Sequence, residues 1–405
     1  MKTTSPNREA GQAPALKISA LTVQAGHGAA RRPVIENISF EVYPGETLCV
    51  VGESGSGKSV TSLAAMGLLP KGVLTATAGS ILLGDDDVLR ATPDRLRALR
   101  ASRIAMVFQE PMTALNPVQK VGRQIDEVLR LHSRLGASER RKQVLAMLES
   151  VHLPDVERVY NAYPHQLSGG QRQRIVIAMA LILKPQVLIA DEPTTALDVT
   201  TQKQILALIR ELQERQRTAV VFITHDFGVV SEIADQVVVM QTGTVVESGS
   251  AADVLRRPRH AYTRKLIEAI PSGEVRQPQE RRDDIRILQV QDLHKTYVSG
   301  GGLFKRGREV HAGNGISFEL RRGETLGLVG ESGSGKSTVG RCLVGLNPFD
   351  GGRILFKGRS LVSGHQFRTL AQGKIQMVFQ DPYASLNPRH RIGPTIAAGP
   401  IAQGL

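Results

Sequence analysis

The eight residues GESGSGKS stand twice in this chain, at Gly52–Ser59 and at Gly330–Ser337, and no other feature narrows the possible folds so far. Each copy follows a strand-like apolar run, Thr47–Val51 and Thr325–Val329, and each leads into residues able to start a helix. Strand, glycine-rich loop and helix form the setting in which G-x-x-x-x-G-K-[ST] binds phosphate. Gly52, Glu53, Ser54, Gly55, Ser56 and Gly57 form a loop whose glycines let successive N–H groups point inward. The N-terminus of the following helix adds its positive dipole end. Gly330, Glu331, Ser332, Gly333, Ser334 and Gly335 repeat the pattern, with Thr338 continuing into the second helix. Lys58 and Lys336 are then expected to reach the β- and γ-phosphates, with the hydroxyls of Ser59 and Ser337 on Mg²⁺. One match would fit an ordinary Gly-Ser turn. Two identical copies in matching contexts argue for a polyphosphate pocket.

At 405 residues the chain has room for two domains, each with its own core. A composition of 41% hydrophobic and 22% charged residues, with 40 glycines for turns, fits a soluble α/β protein. The longest apolar run, Ile175–Leu183, is far short of the roughly 20 residues a membrane helix needs. The opening residues, MKTTSPNREAGQAPALK, have no apolar stretch of the kind a secretory signal carries. The expectation is a protein of the cytosol, or one docked on something else. Cys49 and Cys342, without a C-x-x-C, support neither a disulfide framework nor a zinc site, and read as small buried apolar residues. A formal charge of +13 admits nucleic acid, anionic lipid or a ribosome as partner. Aromatic residues make up only 4%, too few for base-stacking platforms, so no nucleic-acid partner is expected. The basic stretches Arg95–Arg103, Glu139–Lys142 and Leu255–Lys265 read as solvated helix faces, or as an attraction to an acidic membrane leaflet.

Residues 1–14 are polar and read as a disordered lead-in. LKISALTV, VIENISFEV and TLCVV alternate as strands that end at the first loop, and Val60–Leu69 reads as the helix after it. Ser80–Leu83 and Ile104–Phe108 are further strands, separated by an arginine-rich helical segment. Helical spacing of Val121, Ile125, Val128, Leu129 and Leu131, then Val144, Leu145 and Leu148, predicts a helical subdomain over 119–150. Val187–Ala190 and Val220–Thr224 read as short buried strands, Val237–Glu247 as a hairpin turning at Gly243, and Val254–Ile270 as one helix.

The stretch Tyr163–Asp198, YPHQLSGGQRQRIVIAMALILKPQVLIADEPTTALD, resembles the ATP-binding cassette (ABC) ATPases. The resemblance implies an α/β fold of tandem P-loop domains, each a mixed sheet core with an antiparallel β subdomain and a helical subdomain. LSGGQ looks like the ABC signature, where Ser168, Gly169, Gly170 and Gln171 offer N–H groups and side chains to a phosphate held by the opposite domain. Asp191 and Glu192 stand at the C-terminal edge of a strand, where α/β sheets bind ligands. By resemblance Asp191 holds Mg²⁺ through water and Glu192 polarises the attacking water. ALD, Ala196–Asp198, is similar to the D-loop that crosses to the partner domain. FITHD places His225 where the family has the switch histidine at the γ-phosphate, and Gln109 in MVFQEPMTALNP matches the Q-loop, sensing Mg²⁺ and water. Gln380 in MVFQDPYASLNP is its second copy, so that the implied metal set is Ser59, Gln109, Asp191, Ser337 and Gln380. Tyr297 in DLHKTY occupies the place of the family's adenine-stacking aromatic, whereas the aligned place in the first repeat is Ala25, a departure from the pattern. RPRHAYTRKLIEAIP, Arg257–Pro271, resembles the C-terminal extension of subunits serving oligopeptide, dipeptide and nickel importers. Residues 15–271 are thus expected to form a complete domain, 272–284 a linker, and 285–405 the first part of a second domain.

Repeat spacing carries one further expectation. Ser168 lies 110 residues beyond Lys58, so the counterpart of the signature would fall near position 446, past Leu405. The Lys58 site then lacks an opposing LSGGQ in this chain and the Lys336 site lacks a glutamate of its own. The expectation is a truncated tandem ABC ATPase or one piece of a split gene, with pairing of two copies as the alternative. The resemblance implies an ATP-hydrolysing subunit, peripheral to the cytoplasmic face of the inner membrane, that energises import of peptides or glutathione. Its implied partners are permease subunits, through them a solute-binding protein, and a second ABC domain in cis or trans, with ATP and Mg²⁺ as cofactors. Rival readings are a tandem-ABC translation factor on ribosomes, which expects a long basic helical insert, a DNA-repair ABC ATPase, which expects zinc-ligand cysteines, and an inactive or regulatory fragment.

Overall fold

The computed structural model describes residues 12–26, 31–109, 114–195, 197–270, 285–299, 308–331, 333–361, 374–380, 385–402 and 404. Two compact units divide the chain, Met1–Glu274 and Val275–Leu405. The expected lead-in lies outside the described residues up to position 11, and the expected linker, 272–284, lies outside them entirely.

The first unit opens with β1 (Leu16–Ala25), β2 (Arg32–Val42) and β3 (Thr47–Val51), which runs into the first loop and α1 (Lys58–Ala65). Then follow β4 (Leu74–Leu83), β5 (Asp86–Asp87), α2 (Pro93–Leu99) and β6 (Ile104–Val107). Three helices, α3 (Val121–His132), α4 (Ala137–Ser150) and α5 (Val156–Asn161), precede α6 (Gly169–Leu181). β7 (Val187–Asp191), α7 (Val199–Gln216), β8 (Ala219–Thr224), α8 (Phe227–Ile233), β9 (Gln236–Gln241) and β10 (Thr244–Ser250) follow. The unit closes with α9 (Ala251–Arg256) and α10 (Ala261–Glu268).

Two sheets result. An antiparallel sheet runs β2-β1-β4-β5, and a six-stranded sheet runs β10-β9-β3-β8-β7-β6, parallel from β9 to β6 with β10 antiparallel at its edge. The short runs TLCVV, VLIAD and AVVFIT are buried at every position because parallel strands covered on both faces need apolar residues throughout. Alternate residues feed opposite cores. Cys49, Val51, Leu188, Ala190, Val220 and Phe222 join the core shared with the helical subdomain, while Leu48, Val50, Val187, Ile189, Val221 and Ile223 join the one beneath the antiparallel sheet. Such packing carries most of the unit's stability, and truncating the fully buried Phe222 to alanine would cost about 3–5 kcal/mol.

Helix boundaries correct two expectations. The helix after the first loop starts at Lys58 and stops at Ala65 rather than spanning Val60–Leu69. Val254–Ile270 is two helices, not one: α9 ends at Arg256 before Pro258, whose missing N–H and fixed φ break the ladder, and α10 restarts with His260 as its cap.

The second unit holds β11 (Arg286–Ser299), β12 (Arg308–Arg321), α11 (Lys336–Leu343), β13 (Gly351–Phe356), β14 (Arg359–Ser360) and α12 (Ile392–Ala402). Its antiparallel sheet, β12-β11-β13-β14, matches the β2-β1-β4-β5 order of the first unit. The second apolar run departs from expectation. Thr325–Val329 forms no strand, and Leu326, Leu328 and Val329 are exposed. A central parallel strand exists only through its neighbours. β3 is bonded on both edges, by β8 and β9, whereas no described residue of the second unit pairs with Thr325–Val329. The mixed sheet core expected there is therefore not present among the described residues. Cys49 and Cys342 are buried free thiols, as expected.

Candidate functional site

β3 delivers the first phosphate loop to the C-terminal edge of the six-stranded sheet, and the loop's shape follows from its contacts. Gly52 has φ +153°, and a Cβ there would lie 2.2 Å from the carbonyl oxygen of Met240, so only glycine fits under β9. Gly243 N–H donates to Ser56 O from outside. From inside, Lys58 Nζ donates to Gly52 O and Glu53 O, both at 2.8 Å, and to Ser56 Oγ at 3.4 Å. The three donors of this ammonium are all engaged. Burial pushes Lys58 below its usual range, against the pull of Glu192 and Asp191.

The end of β7 brings both acids. Asp191 ends β7, and Ser59 Oγ donates to its Oδ1 at 3.3 Å. Burial raises the Asp191 carboxyl, with the Ser59 bond opposing. Glu192 follows with φ +46°, a left-handed backbone costly for a side chain with a Cβ. That turn aims its carboxylate into a cluster. Oε2 accepts from Gln109 Nε2 at 3.1 Å and from Thr195 Oγ1 at 3.0 Å, and Oε1 faces His225 Nδ1 at 3.2 Å. Gln109 comes from just beyond β6 and His225 from the end of β8. Residues far apart in sequence, Lys58, Ser59, Gln109, Asp191, Glu192 and His225, thus meet along one sheet edge.

The signature residues are satisfied locally. Ser168 Oγ accepts from Gln171 N–H at 3.3 Å while Gln171 Oε1 accepts from Ser168 N–H at 3.1 Å, a capping box at the start of α6. Gly170 packs so closely on α7 that a Cβ would lie 2.6 Å from Thr201 Cγ2. Among the described residues no hydrogen bond joins Ser168, Gly169, Gly170 or Gln171 to the first loop. Asp198 caps α7 through Thr201 N–H at 3.0 Å, and Ala196 lies outside the described residues.

The second loop repeats the first. Gly330, Gly333 and Gly335 take φ +155°, +87° and +96°, against +153°, +82° and +99° at Gly52, Gly55 and Gly57. Lys336 Nζ again donates to Gly330 O and Glu331 O, at 2.5 and 2.6 Å, and to Ser334 Oγ at 3.3 Å. The second loop keeps this conformation beside a segment that is no strand, and is packed so closely on β12 that a Cβ at Gly335 would lie 1.9 Å from Ala312 O. Ser337 and Gln380 are exposed, Thr338 is half-buried, and Ser332 lies outside the described residues. Tyr297 Oη accepts from Asn347 Nδ2 at 2.6 Å, and Lys295 Nζ stands 5.4 Å from its ring centre. Ala25 ends β1, paired with Arg32 and Leu74.

Oxygen ligands suit Mg²⁺, which takes one or two carboxylates and completes its octahedron with waters and phosphate oxygens. Ser59 and Asp191 fit that demand. No cluster of three or more His, Cys, Asp or Glu side chains placed to hold a metal occurs among the described residues. Two contributors escaped the sequence reading. Thr195 was hidden in DEPTTALD as one of two threonines, and Tyr262, whose hydroxyl accepts from Glu53 N–H at 3.0 Å, is 209 residues from its partner.

Comparison with known families fits this arrangement. The ABC transporter family model matches residues 35–195 and 313–398, more than half of the chain. The chain belongs to the ABC transporter family. A second model, the oligopeptide/dipeptide transporter C-terminal region, matches residues 246–302 of this ABC protein. It is 44% identical over 394 residues to the peptidoglycan transport ATP-binding protein YejF of Agrobacterium fabrum, covering 97% of this chain and 72% of that one. It is 44% identical over 418 residues to the glutathione import ATP-binding protein GsiA of Salmonella typhimurium, covering 94% of this chain and 66% of that one. The chain thus spans about two thirds of the length of such relatives. Among solved structures, the dimeric bacterial ABC transporter cassette MJ0796 superposes with a TM-score of 0.52 at 30% identity, over 58% of this chain and 98% of its own. The cassette cbiO1 of Clostridium perfringens also gives 0.52, at 27% identity, over 60% and 91%. Among the described residues no helix is long and apolar enough to cross a membrane.

Proposed function

We propose that this ABC protein binds and hydrolyses MgATP to energise import of peptides, or of a peptide-like solute such as glutathione, through a membrane permease. The observation that carries the proposal is the Glu192 carboxylate held by Gln109, Thr195 and His225 at the sheet edge where Lys58, Ser59 and Asp191 converge. In this reading Lys58 leaves its loop carbonyls for the β- and γ-phosphates, and the loop N–H groups cradle them. Ser59 and Asp191 hold Mg²⁺, which neutralises charge on the phosphate oxygens. Glu192 orients the attacking water and takes its proton, with His225 and Thr195 fixing the carboxylate and Gln109 reporting its state. Catalysis is mostly positioning and charge stabilisation.

Ser168–Gln171 serve a nucleotide held by a second ABC domain, in cis or in trans. Pairing of two such domains is supported by the dimeric form of MJ0796, which has a post-hydrolysis state bound to ADP and Pi. Closure on ATP and reopening after hydrolysis then bias the permease between its two states. Support for the importer class comes from the match at 246–302 and from the names of the two relatives. A cleft of about 520 Å³ lined by Val118, Lys120, Arg123, Asp126 and Tyr163, just after the Gln109 segment, offers a seat for the permease. The protein is then peripheral, on the cytoplasmic face of the inner membrane. Reconstitution with the permease in vesicles tests the whole: ATP-dependent peptide uptake that Glu192→Gln abolishes is expected, and uptake indifferent to that change contradicts it.

A further inference from the structure

We propose that Tyr262 is a positioning residue for the first phosphate loop, and that through it the C-terminal extension sets the affinity of that loop for nucleotide. The inference rests on the reading of Gly52–Ser59 as the ATP site. Tyr262 stands in the first turn of α10, 8% exposed, and its Oη accepts the N–H of Glu53 at 3.0 Å. Glu53 is the second residue of the loop, and its backbone is held on both sides, through its N–H and through its carbonyl. Its carbonyl accepts from Ser56 N–H at 3.2 Å and from Lys58 Nζ at 2.8 Å.

These ties differ in what ATP does to them. Lys58 has three donors and spends all three on the loop, so it must surrender at least one to reach a phosphate. The Tyr262 bond points away from that ammonium's duties and survives the exchange. It holds the loop in its receptive shape while the lysine changes partners, which is preorganisation.

Tyr262 is itself held by the six-stranded sheet. Tyr262 N–H donates to His260 Nδ1 at 3.2 Å, closing the N-terminus of α10. Arg259 and His260 N–H donate to the Glu247 carboxylate at 2.8 and 3.1 Å, and Glu247 lies on β10. β10 pairs with β9, β9 with β3, and β3 enters the loop. The circuit from loop to extension and back to the loop through the sheet is closed. Within HAYT, His260 caps the helix, Tyr262 reaches the loop, and Thr263 is fully buried. Linkage makes the coupling reciprocal: whatever shifts α10 changes ATP affinity, and ATP steadies α10.

Tyr262→Phe keeps the ring and removes only the acceptor. In the full chain, titration with a fluorescent ATP analogue and Mg²⁺ is expected to show a Kd raised about three- to tenfold, the size of one lost hydrogen bond. Hydrogen exchange at the Glu53 amide is expected to quicken, and MgATP is expected to slow exchange across 261–268 in the unsubstituted chain only. Glu247→Ala, which frees the start of α10 without touching the loop, is expected to raise Kd in the same direction. A role in folding alone would lower the unfolding midpoint and leave Kd unmoved, and that result overturns the inference. Unchanged Kd together with unchanged Glu53 exchange in Tyr262→Phe overturns it as well. Should the unsubstituted chain bind no MgATP, the ATP reading of the loop falls separately, and the Glu53 exchange comparison still decides whether Tyr262 holds the loop.

Discussion

His225 Nδ1 lies 3.2 Å from Glu192 Oε1, although 33 residues and a whole helix separate the two in sequence. Adjacent parallel strands, β7 and β8, end at the same level and present both residues from their C-terminal edge. The histidine is more than half exposed while the glutamate is largely covered, so a ligand entering from solvent meets the imidazole beside an already oriented carboxylate.

Glu192→Gln keeps the shape and hydrogen-bonding reach of the side chain and removes its capacity to take a proton. Turnover is expected to fall by about 10²–10⁴-fold, the usual worth of a general base, with the Kd for MgATP within about twofold. Steady-state hydrolysis beside nucleotide titration checks this. Full turnover in the variant removes Glu192 from the chemistry.

Thr195→Val deletes one of the hydrogen bonds that aim the Glu192 carboxylate. A misaimed base lowers kcat and spares ground-state binding, so kcat is expected to drop about tenfold with KM nearly constant. Restoration by Thr195→Ser would tie the effect to the hydroxyl. A raised KM with unchanged kcat would place Thr195 in binding instead.

Glu247 gives a pH dependence of known sign. Burial pushes its carboxyl up, but the hydrogen bonds it accepts, Arg259 and His260 N–H among them, outweigh burial and hold it below the usual range. With its folded pKa depressed, its stabilising contribution is present above the ordinary carboxylate pKa and is lost as pH falls through the folded value. Glu247→Gln is expected to cost about 1–2 kcal/mol at pH 7. The gap from the unsubstituted protein should narrow as pH falls below about 4. Thermal unfolding across pH measures it, and a gap that widens on acidification contradicts the assignment.

Contiguous patterns were legible. The loops at Gly52 and Gly330 and the buried strands at Val187 and Val220 rest on patterns along one stretch of chain, whereas Gln109, Ser168, Asp191, Glu192 and His225 were singled out by resemblance to the ABC family. Contacts between distant stretches were not legible. Nothing near Tyr262 in sequence points to Glu53, and only the fold separates Thr194, which is buried, from Thr195, which is exposed and turns its hydroxyl to Glu192. Pro258 was visible, but Val254, Leu255, Leu266 and Ile267 on either side keep an apolar pattern that reads as continuous helix. Thr325–Val329 is the clearest lesson. Its composition matches that of β3, yet strand structure there depends on pairing edges that composition does not contain.

Nucleotide titration of the purified chain, with and without Mg²⁺, tests the central claim most directly when the two lysines are replaced in turn. Magnesium-dependent binding of ATP that weakens with Lys58→Ala or Lys336→Ala and disappears with both is the predicted result. Binding that persists undiminished in the double variant, or that never occurs in the unsubstituted chain, would contradict it.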